Sequence, residues 1–365
     1  MAVDRVVAYP AGRVRALIAG IALLSLAAVC AAAVKVSETG STLIYPLFNA
    51  WVAAYVKVDP GVQMTAGATG SEAGIEQVIA RQVQIGTSDA YMSDVQATAN
   101  PSILNIPLCI SAQTVDVNLP GLQGSVLKLS GPVLADIYSG KIRTWDAAQI
   151  AAINPGLQLP HHAIVPVRRA EGSGDTFIFT QFLTFTTQTE DENTKTWGDT
   201  IGYGTTVAWP SVPGVLTATG NQGMVQTLAR TPYSVGYVGA SFEDAAKSAG
   251  LIAAMLQNQS GNFLLPTTAT VTAAAAALTP RTPPDERLTL VFAPGADSYP
   301  LINYEYAVVS EKQPSPQVAA AISSFLLWSI SPQGGNAAGF LAPVHFIALP
   351  TAIRARSEIQ IARIQ

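Results

Sequence analysis

An α/β fold is predicted from three features of the 365-residue sequence. Short apolar runs alternate along the chain with segments of helical periodicity. Hydrophobic residues make up 49% and charged residues only 12%, which supports a sizeable core and argues against disorder. The 29 glycines and 24 prolines mark many short connections, which suit strand–helix alternation better than a helical bundle. The length suffices for two domains of ordinary size.

At the amino end, Arg13 and Arg15 precede an apolar run over 16–29, followed by Ala31-Ala32-Ala33. Positive, apolar, then small is the order of a secretory leader over 1–33. Cys30 stands where a lipid-attachment cysteine would, although Val29 before it is bulkier than such a site prefers. Cleavage after Ala33 and an uncleaved anchor over 16–34 are the other two readings, and all three place the remainder outside the cytoplasm.

Leu43, Leu47, Trp51 and Tyr55 recur at four-residue steps and predict a helix over 43–58, with Pro46 in the first turn and Asp59-Pro60-Gly61 as its stop. A strand follows at 62–65, a helix at 71–82 carrying Ile75, Val78 and Ile79, and a short strand at 83–85. Strands are expected at 115–118, 164–167, 234–238 and 304–309, and helices at 176–185, 242–249, 267–278 and 315–330. The alternation favours mostly parallel pairing. Trp51, Tyr55 and Trp328 are read as core, and Cys109, inside Ile106-Pro107-Leu108-Cys109-Ile110, as a buried small hydrophobe.

Three polar turns lead straight into helices: Thr39-Gly40-Ser41-Thr42, Gly67-Ala68-Thr69-Gly70-Ser71, and Glu171-Gly172-Ser173-Gly174-Asp175-Thr176. A helix start presents unpaired N–H groups and the positive end of the dipole, glycine lets the backbone approach an anion, and hydroxyls add donors. Each turn alone is weak evidence and reads first as an ordinary N-cap. Together, and with Arg168-Arg169 beside the third, they suggest an oxyanion cradle, since the guanidinium fork matches tetrahedral oxyanions.

Asp89, in Ile85-Gly86-Thr87-Ser88-Asp89, adds a possible discriminator. A carboxylate repels a fully ionised anion such as sulfate but accepts a proton from phosphate, which still carries one near neutral pH. An Asp capping a turn is the alternative reading.

Other classes are weaker. Net charge is −4, where a nucleic-acid binder is normally basic. Two cysteines and three histidines show no metal-ligand spacing. A hydrolase would need Ser41, Ser71 or Ser173 activated by His161, His162 or His345, and no Gly-x-Ser-x-Gly elbow surrounds these serines. Receptors for sulfate or molybdate, a phosphatase on the same fold, and a surface interaction protein remain alternatives.

Segments 39–51, 70–94 and 167–182 resemble the PstS family, the phosphate-binding proteins of phosphate ABC transporters. Gly140-Lys141-Ile142-Arg143-Thr144-Trp145-Asp146, Asn154-Pro155-Gly156-Leu157 and Ser234-Val235-Gly236-Tyr237-Val238 are similar to that family as well, and the likeness runs from about Val36 to about Pro350. It implies a two-lobed periplasmic-binding-protein-like fold (type II), with ligand in the interdomain cleft. One lobe would take 34–114 and 302–365 and the other 115–301, with crossings near 116–119 and 302–306.

The resemblance also implies site roles. Phosphate would be bound by Thr42, Leu43, Ser71, Asp89, Arg169, Ser173, Gly174 and Asp175, with Glu171 holding Arg169. Asp175 departs from a frequent Thr, Leu43 from a common Phe, and Glu171 from a usual Asp. Asp175 therefore stands either as a second acceptor or as a cap. The implied partners are inorganic phosphate and transporter permease subunits, with membrane attachment through Cys30, a monomeric state and no cofactor or catalytic residue. Micromolar binding needs about 8 kcal/mol, and charge-assisted hydrogen bonds contribute roughly 1.5–3 kcal/mol each before desolvation and closure costs.

Overall fold

The computed structural model describes residue 1, residues 33–191 and residues 193–365. Residues 2–32, which hold Cys30 and nearly all of the predicted leader, lie outside the described residues. In chain order the elements are β1 (Val34–Gly40), α1 (Tyr45–Tyr55), β2 (Val62–Thr65), α2 (Ser71–Ile79), β3 (Ile85–Ser88), α3 (Asp94–Ala99), β4 (Ile103–Val117), β5 (Lys128–Leu129), α4 (Gly131–Tyr138), α5 (Ala148–Ile153), β6 (Val165–Arg169), α6 (Gly174–Thr186), α7 (Trp197–Thr200), β7 (Leu216–Ala218), α8 (Gly220–Arg230), β8 (Ser234–Gly239), α9 (Glu243–Ser248), β9 (Ile252–Ala253), β10 (Met255–Gln257), β11 (Phe263–Leu264), α10 (Thr268–Leu278), β12 (Ile302–Ser310), α11 (Pro316–Ile330), α12 (Ala338–Leu341) and α13 (Thr351–Ile361).

Among the described residues, β2-β1-β3-β12-β4-β8-β6-β7 run side by side in that order, with β9 also paired to β4. The two wings are parallel: β1 with β2 and β3, and β6 with β7 and β8. The centre is antiparallel, because β12 runs against both β3 and β4, and β4 against β8. Mostly parallel pairing is therefore corrected. Strand–helix units build each wing, and the strands that join the wings run the opposite way to their neighbours.

The fifteen-residue β4 is the connecting feature. Its stretch from Ile103 to Ala112 pairs with β12, and from Gln113 to Val117 it pairs with β8. The sequence pattern predicts a strand only at 115–118, the last part of it, and Pro107 within it has no N–H to give the ladder. Here the register shifts between Glu305 and Tyr306 opposite Pro107, and this irregularity accommodates the missing N–H.

Helix α1 forms for the reasons the periodicity implied. Pro46 lies in its first turn, and Leu47, Phe48, Trp51 and Tyr55 are buried. Its aromatic stripe meets α11: Phe48 and Phe325 ring centroids are 5.3 Å apart, and Tyr55 lies 5.1 Å from Phe325 and 5.3 Å from Trp328. Such pairs add about 0.5–1.5 kcal/mol each beyond the area they bury. Cys109 is buried as a free thiol. No helix of the described residues is long and apolar enough to cross a membrane.

Buried acids give this fold a pH signature. Asp116 on β4 is buried and accepts one hydrogen bond at Oδ2, from Thr114 Oγ1 at 2.7 Å. Burial, with a smaller push from Glu243 and against the Thr114 bond, drives its pKa from 3.8 up to about 7. The folded state thus holds a proton that the unfolded chain releases near pH 3.8. The contribution is present below that pH and is lost as pH rises towards about 7. We expect Asp116→Asn to leave stability unchanged in acid and to raise it above neutrality, by up to about 4 kcal/mol. Urea unfolding of parent and variant across this range measures the difference. Parallel curves at all pH values would refute it.

Candidate anion-binding site

The three polar turns meet at one place. β1 ends at Gly40, and the chain turns through Ser41, Thr42 and Leu43 into α1. The N–H groups of Leu43 and Ile44 donate to Ser41 Oγ at 3.0 and 3.2 Å. Gly70 caps α2 with φ of 100°, a conformation that favours glycine, and its N–H donates to Gly40 O at 2.8 Å. This bond locks the second turn against the first. β6 delivers Arg169, and Ser173 caps α6 by accepting from Asp175 N–H at 3.1 Å.

Asp89 lies just past β3, at the centre of the first two turns. Ser41 Oγ donates to its Oδ1, and Ser71 Oγ donates to its Oδ2 at 3.2 Å. The start of α6 closes on this pair. A Cβ added to Gly174 would fall 2.5 Å from Asp89 Oδ2 and 2.6 Å from Ser71 Oγ, so only glycine permits the approach.

Arg169 is 3% exposed. Its Nη1 donates to Asp175 Oδ2 at 2.5 Å, its Nη2 to Thr42 Oγ1 at 3.1 Å, and its Nε to Glu171 Oε1 at 2.8 Å. Burial works against its charge, but Asp175 and Glu171 outweigh that and hold it firmly protonated. Burial likewise opposes ionisation of Glu171, and the hydrogen bonds and charge of Arg169 overcome it, keeping that carboxyl below the usual range. Arg168 takes no part: its guanidinium stacks over Trp209 at 5.6 Å.

All eight predicted ligand positions and Glu171 thus fall in or directly beside one buried cluster. The carboxylate of Asp175 is engaged by its own surroundings, accepting from Arg169, from Asn221 Nδ2 at 2.7 Å and from Gln113 Nε2 at 3.0 Å. Asn221 and Gln113 carried no signal in the sequence. Gly220-Asn221-Gln222-Gly223 opens α8, a fourth helix start. Asn221 Nδ2 also donates to Thr42 Oγ1 at 3.0 Å, and Gly239 N–H donates to Asn221 Oδ1 at 2.7 Å. Asn221 therefore clasps the first turn to the β6–α6–β8 wing. Ser241 Oγ to Leu43 O at 2.6 Å and Thr206 Oγ1 to Glu72 Oε2 at 2.8 Å bridge the same divide.

Electrostatically, Asp89 is poised. Burial and then the charge of Asp175 push its pKa from 3.8 up to about 7, against the lowering effects of Glu305, Ser41 and Arg169. None of the three histidines reaches the cluster: His161 Nδ1 contacts Asp146 at 2.7 Å, His162 stacks on Tyr233 at 3.9 Å, and His345 faces Glu243 and Asp244. The serines of the site thus have no histidine base. No cluster of three or more His, Cys, Asp or Glu among the described residues has metal-binding geometry.

Two α/β wings closed over a buried cradle of hydroxyls, helix starts and one arginine define a two-lobed solute-binding fold. Residues 28–333 match the PBP superfamily domain. More narrowly, the chain belongs to the PstS family of phosphate-binding proteins. It is 32% identical to the phosphate-binding protein PstS of Pasteurella multocida over 338 residues, 93% of each chain. It is also 32% identical to the PstS of Methanocaldococcus jannaschii, over 86% of this chain and 82% of the relative. Among solved structures it is similar to a high-affinity periplasmic phosphate-binding protein, PfluDING, bound with phosphate, with TM-score 0.67 and 22% identity over 88% of this chain and 92% of that one. The phosphate-binding protein of Stenotrophomonas maltophilia gives TM-score 0.65 and 20% identity over 89% and 93%. At these identities the solved structures bear on the fold alone.

Proposed function

We propose that this chain captures inorganic phosphate outside the cytoplasm and delivers it to the permease of a phosphate ABC transporter. The observation that carries the reading is the acceptor carboxylate of Asp89, fixed by Ser41 and Ser71 among hydroxyls and helix starts, while the carboxylates of Asp175 and Glu171 are engaged by Arg169. Such a site favours an oxyanion that still holds a proton and penalises one that does not. In this reading Thr42, Leu43, Ser71, Ser173, Gly174 and the main chain of Asp175 supply donors, and Arg169 neutralises the anion. Glu171 orients Arg169. The carboxylate of Asp175 is scaffold, since Arg169, Asn221 and Gln113 already occupy it.

The lobes are 34–114 with 302–365, and 115–301. The change of partner along β4 at Ala112 and Gln113 supports a division close to there. Closure brings Asn221 and Arg169 onto Thr42, and the permease reads the closed form. The protein acts as a monomer held at the membrane by a lipid on Cys30.

Calorimetric titration of the mature chain with phosphate, sulfate and arsenate is the test. Phosphate should bind with micromolar affinity or tighter, arsenate should compete because it too carries a proton, and sulfate should bind far more weakly. A chain indifferent to phosphate at millimolar concentration would overturn the reading.

A further inference from the structure

A second buried carboxyl stands directly behind Asp89. β12 runs antiparallel to β3 with Tyr306 opposite Ser88, so one step further Glu305 comes opposite Asp89, and the two carboxyl groups are in hydrogen-bond contact. The register shift of β12 against β4 falls between Glu305 and Tyr306. Such irregularities re-aim a side chain, here towards the cradle. Glu305 is fully buried. Its Oε1 accepts from Ser111 Oγ at 2.6 Å and from Asn303 Nδ2 at 3.0 Å, while no N–H or hydroxyl reaches its Oε2. Asn303 Nδ2 also reaches Asp89 O at 3.3 Å, tying the two residues to one frame.

Two ionised carboxylates opposite each other in a sheet repel, more so when buried. One proton between them removes the repulsion and fills the one gap in the donor set. The surroundings decide which group keeps it. Asp89 already accepts from two serine hydroxyls and faces Arg169, whereas among the described residues no cation acts on Glu305. The other titratable groups facing the pair are Asp175 on α6 and Cys109 on β4. Asp175 raises Asp89, and the Cys109 thiol is pushed up by burial and by Glu305, so it stays neutral.

We propose that Glu305 is a positioning residue for anion selection: it holds a proton, donates it to Asp89 through Oε2, and so keeps Asp89 an ionised acceptor facing the oxyanion. This rests on the reading of the cluster as a phosphate cradle. Burial and the neighbouring Asp89 both push the pKa of Glu305 well above the usual range, in agreement with the geometry.

Glu305→Gln and Glu305→Leu separate the roles. A glutamine accepts from Ser111 and Asn303 through its oxygen and donates to Asp89 through its amide, as protonated glutamate does. We expect E305Q to keep the parental ratio of phosphate to sulfate affinity and its pH dependence. E305L removes the donor, so Asp89 should titrate at higher pH, and from a start of about 7 an upward shift of one unit lowers its ionised fraction at neutral pH roughly fivefold. At neutral pH its phosphate-to-sulfate ratio should therefore fall about fivefold, and recover as pH is raised. The infrared difference between parent and E305Q at neutral pH should show loss of a carboxylic-acid C=O band, and that readout requires neither ligand binding nor a folded E305L.

A carboxylate band lost in its place, E305Q with a displaced pH profile, or a folded E305L with the parental profile would each overturn the proposal. The parental titration separates the two readings. A parent that ignores phosphate sinks the cradle, whereas a selective parent matched by E305L sinks only Glu305.

Discussion

Replacing Arg169 by methionine is expected to weaken phosphate capture severely and to destabilise the fold together. Among the described residues the guanidinium is the only cation contacting Asp175 and Glu171, and it is almost fully buried. Removing one partner of a buried ion pair costs about 3–5 kcal/mol, because the remaining charge is left uncompensated. In the proposed reading Arg169 also neutralises the anion, and loss of even one charge-assisted bond to it, at roughly 1.5–3 kcal/mol, weakens binding by about ten- to a hundredfold.

Arg169→Lys should fall between. Its charge survives, but a point charge cannot serve Asp175, Thr42 and Glu171 at once as the fork does. Adding Asp175→Asn to R169M should recover part of the stability and none of the binding, since it removes a stranded charge without restoring a donor. Thermal unfolding and phosphate calorimetry on the three variants measure both quantities. R169M binding phosphate within a few-fold of the parent would remove Arg169 from the site.

The contrast between Arg169 and its neighbours shows what a sequence can carry. Turns that bring backbone close to an anion need glycine and small hydroxylated residues next to a helix start, and that signature is local at Thr42, Ser71, Ser173 and Gly174, which the fold gathers into one buried cluster. Helical periodicity gave α1 and α11 for a similarly local reason, as four-residue spacing writes the buried face directly into the chain. Asn221 escaped because two glycines and a polar stretch mask the start of α8. Glu305 escaped because it lies in an apolar strand and acquires its meaning only from Asp89, which pairing between β12 and β3 brings to it from far along the chain. Strand direction was likewise illegible, since alternation of elements does not encode whether the strands joining two wings run with or against their neighbours. Contacts remote in sequence are set by topology, and residues whose role is purely such a contact leave no local pattern.

Asp89→Asn should convert a selective site into a permissive one. The substitution keeps the shape, and the amide oxygen can still accept from Ser41. Its NH2 group, however, presents a donor where the anion met an acceptor. Protonated phosphate then loses a charge-assisted bond worth roughly 1.5–3 kcal/mol, and unprotonated sulfate is relieved of repulsion. The ratio of phosphate to sulfate affinity should shrink by about ten- to a hundredfold.

The pH dependence supplies an internal control. Parental Asp89 titrates at about 7, so its acceptor function is complete above that pH and fades as pH falls through it. Parental selectivity should therefore narrow in mild acid, whereas D89N, with nothing to titrate at that position, should hold its reduced ratio across the same range. Competition calorimetry with phosphate and sulfate on either side of neutrality reads both trends. If D89N discriminates as the parent does, selectivity arises elsewhere in the cradle, and Asp89 is reduced to an anchor for Ser41 and Ser71.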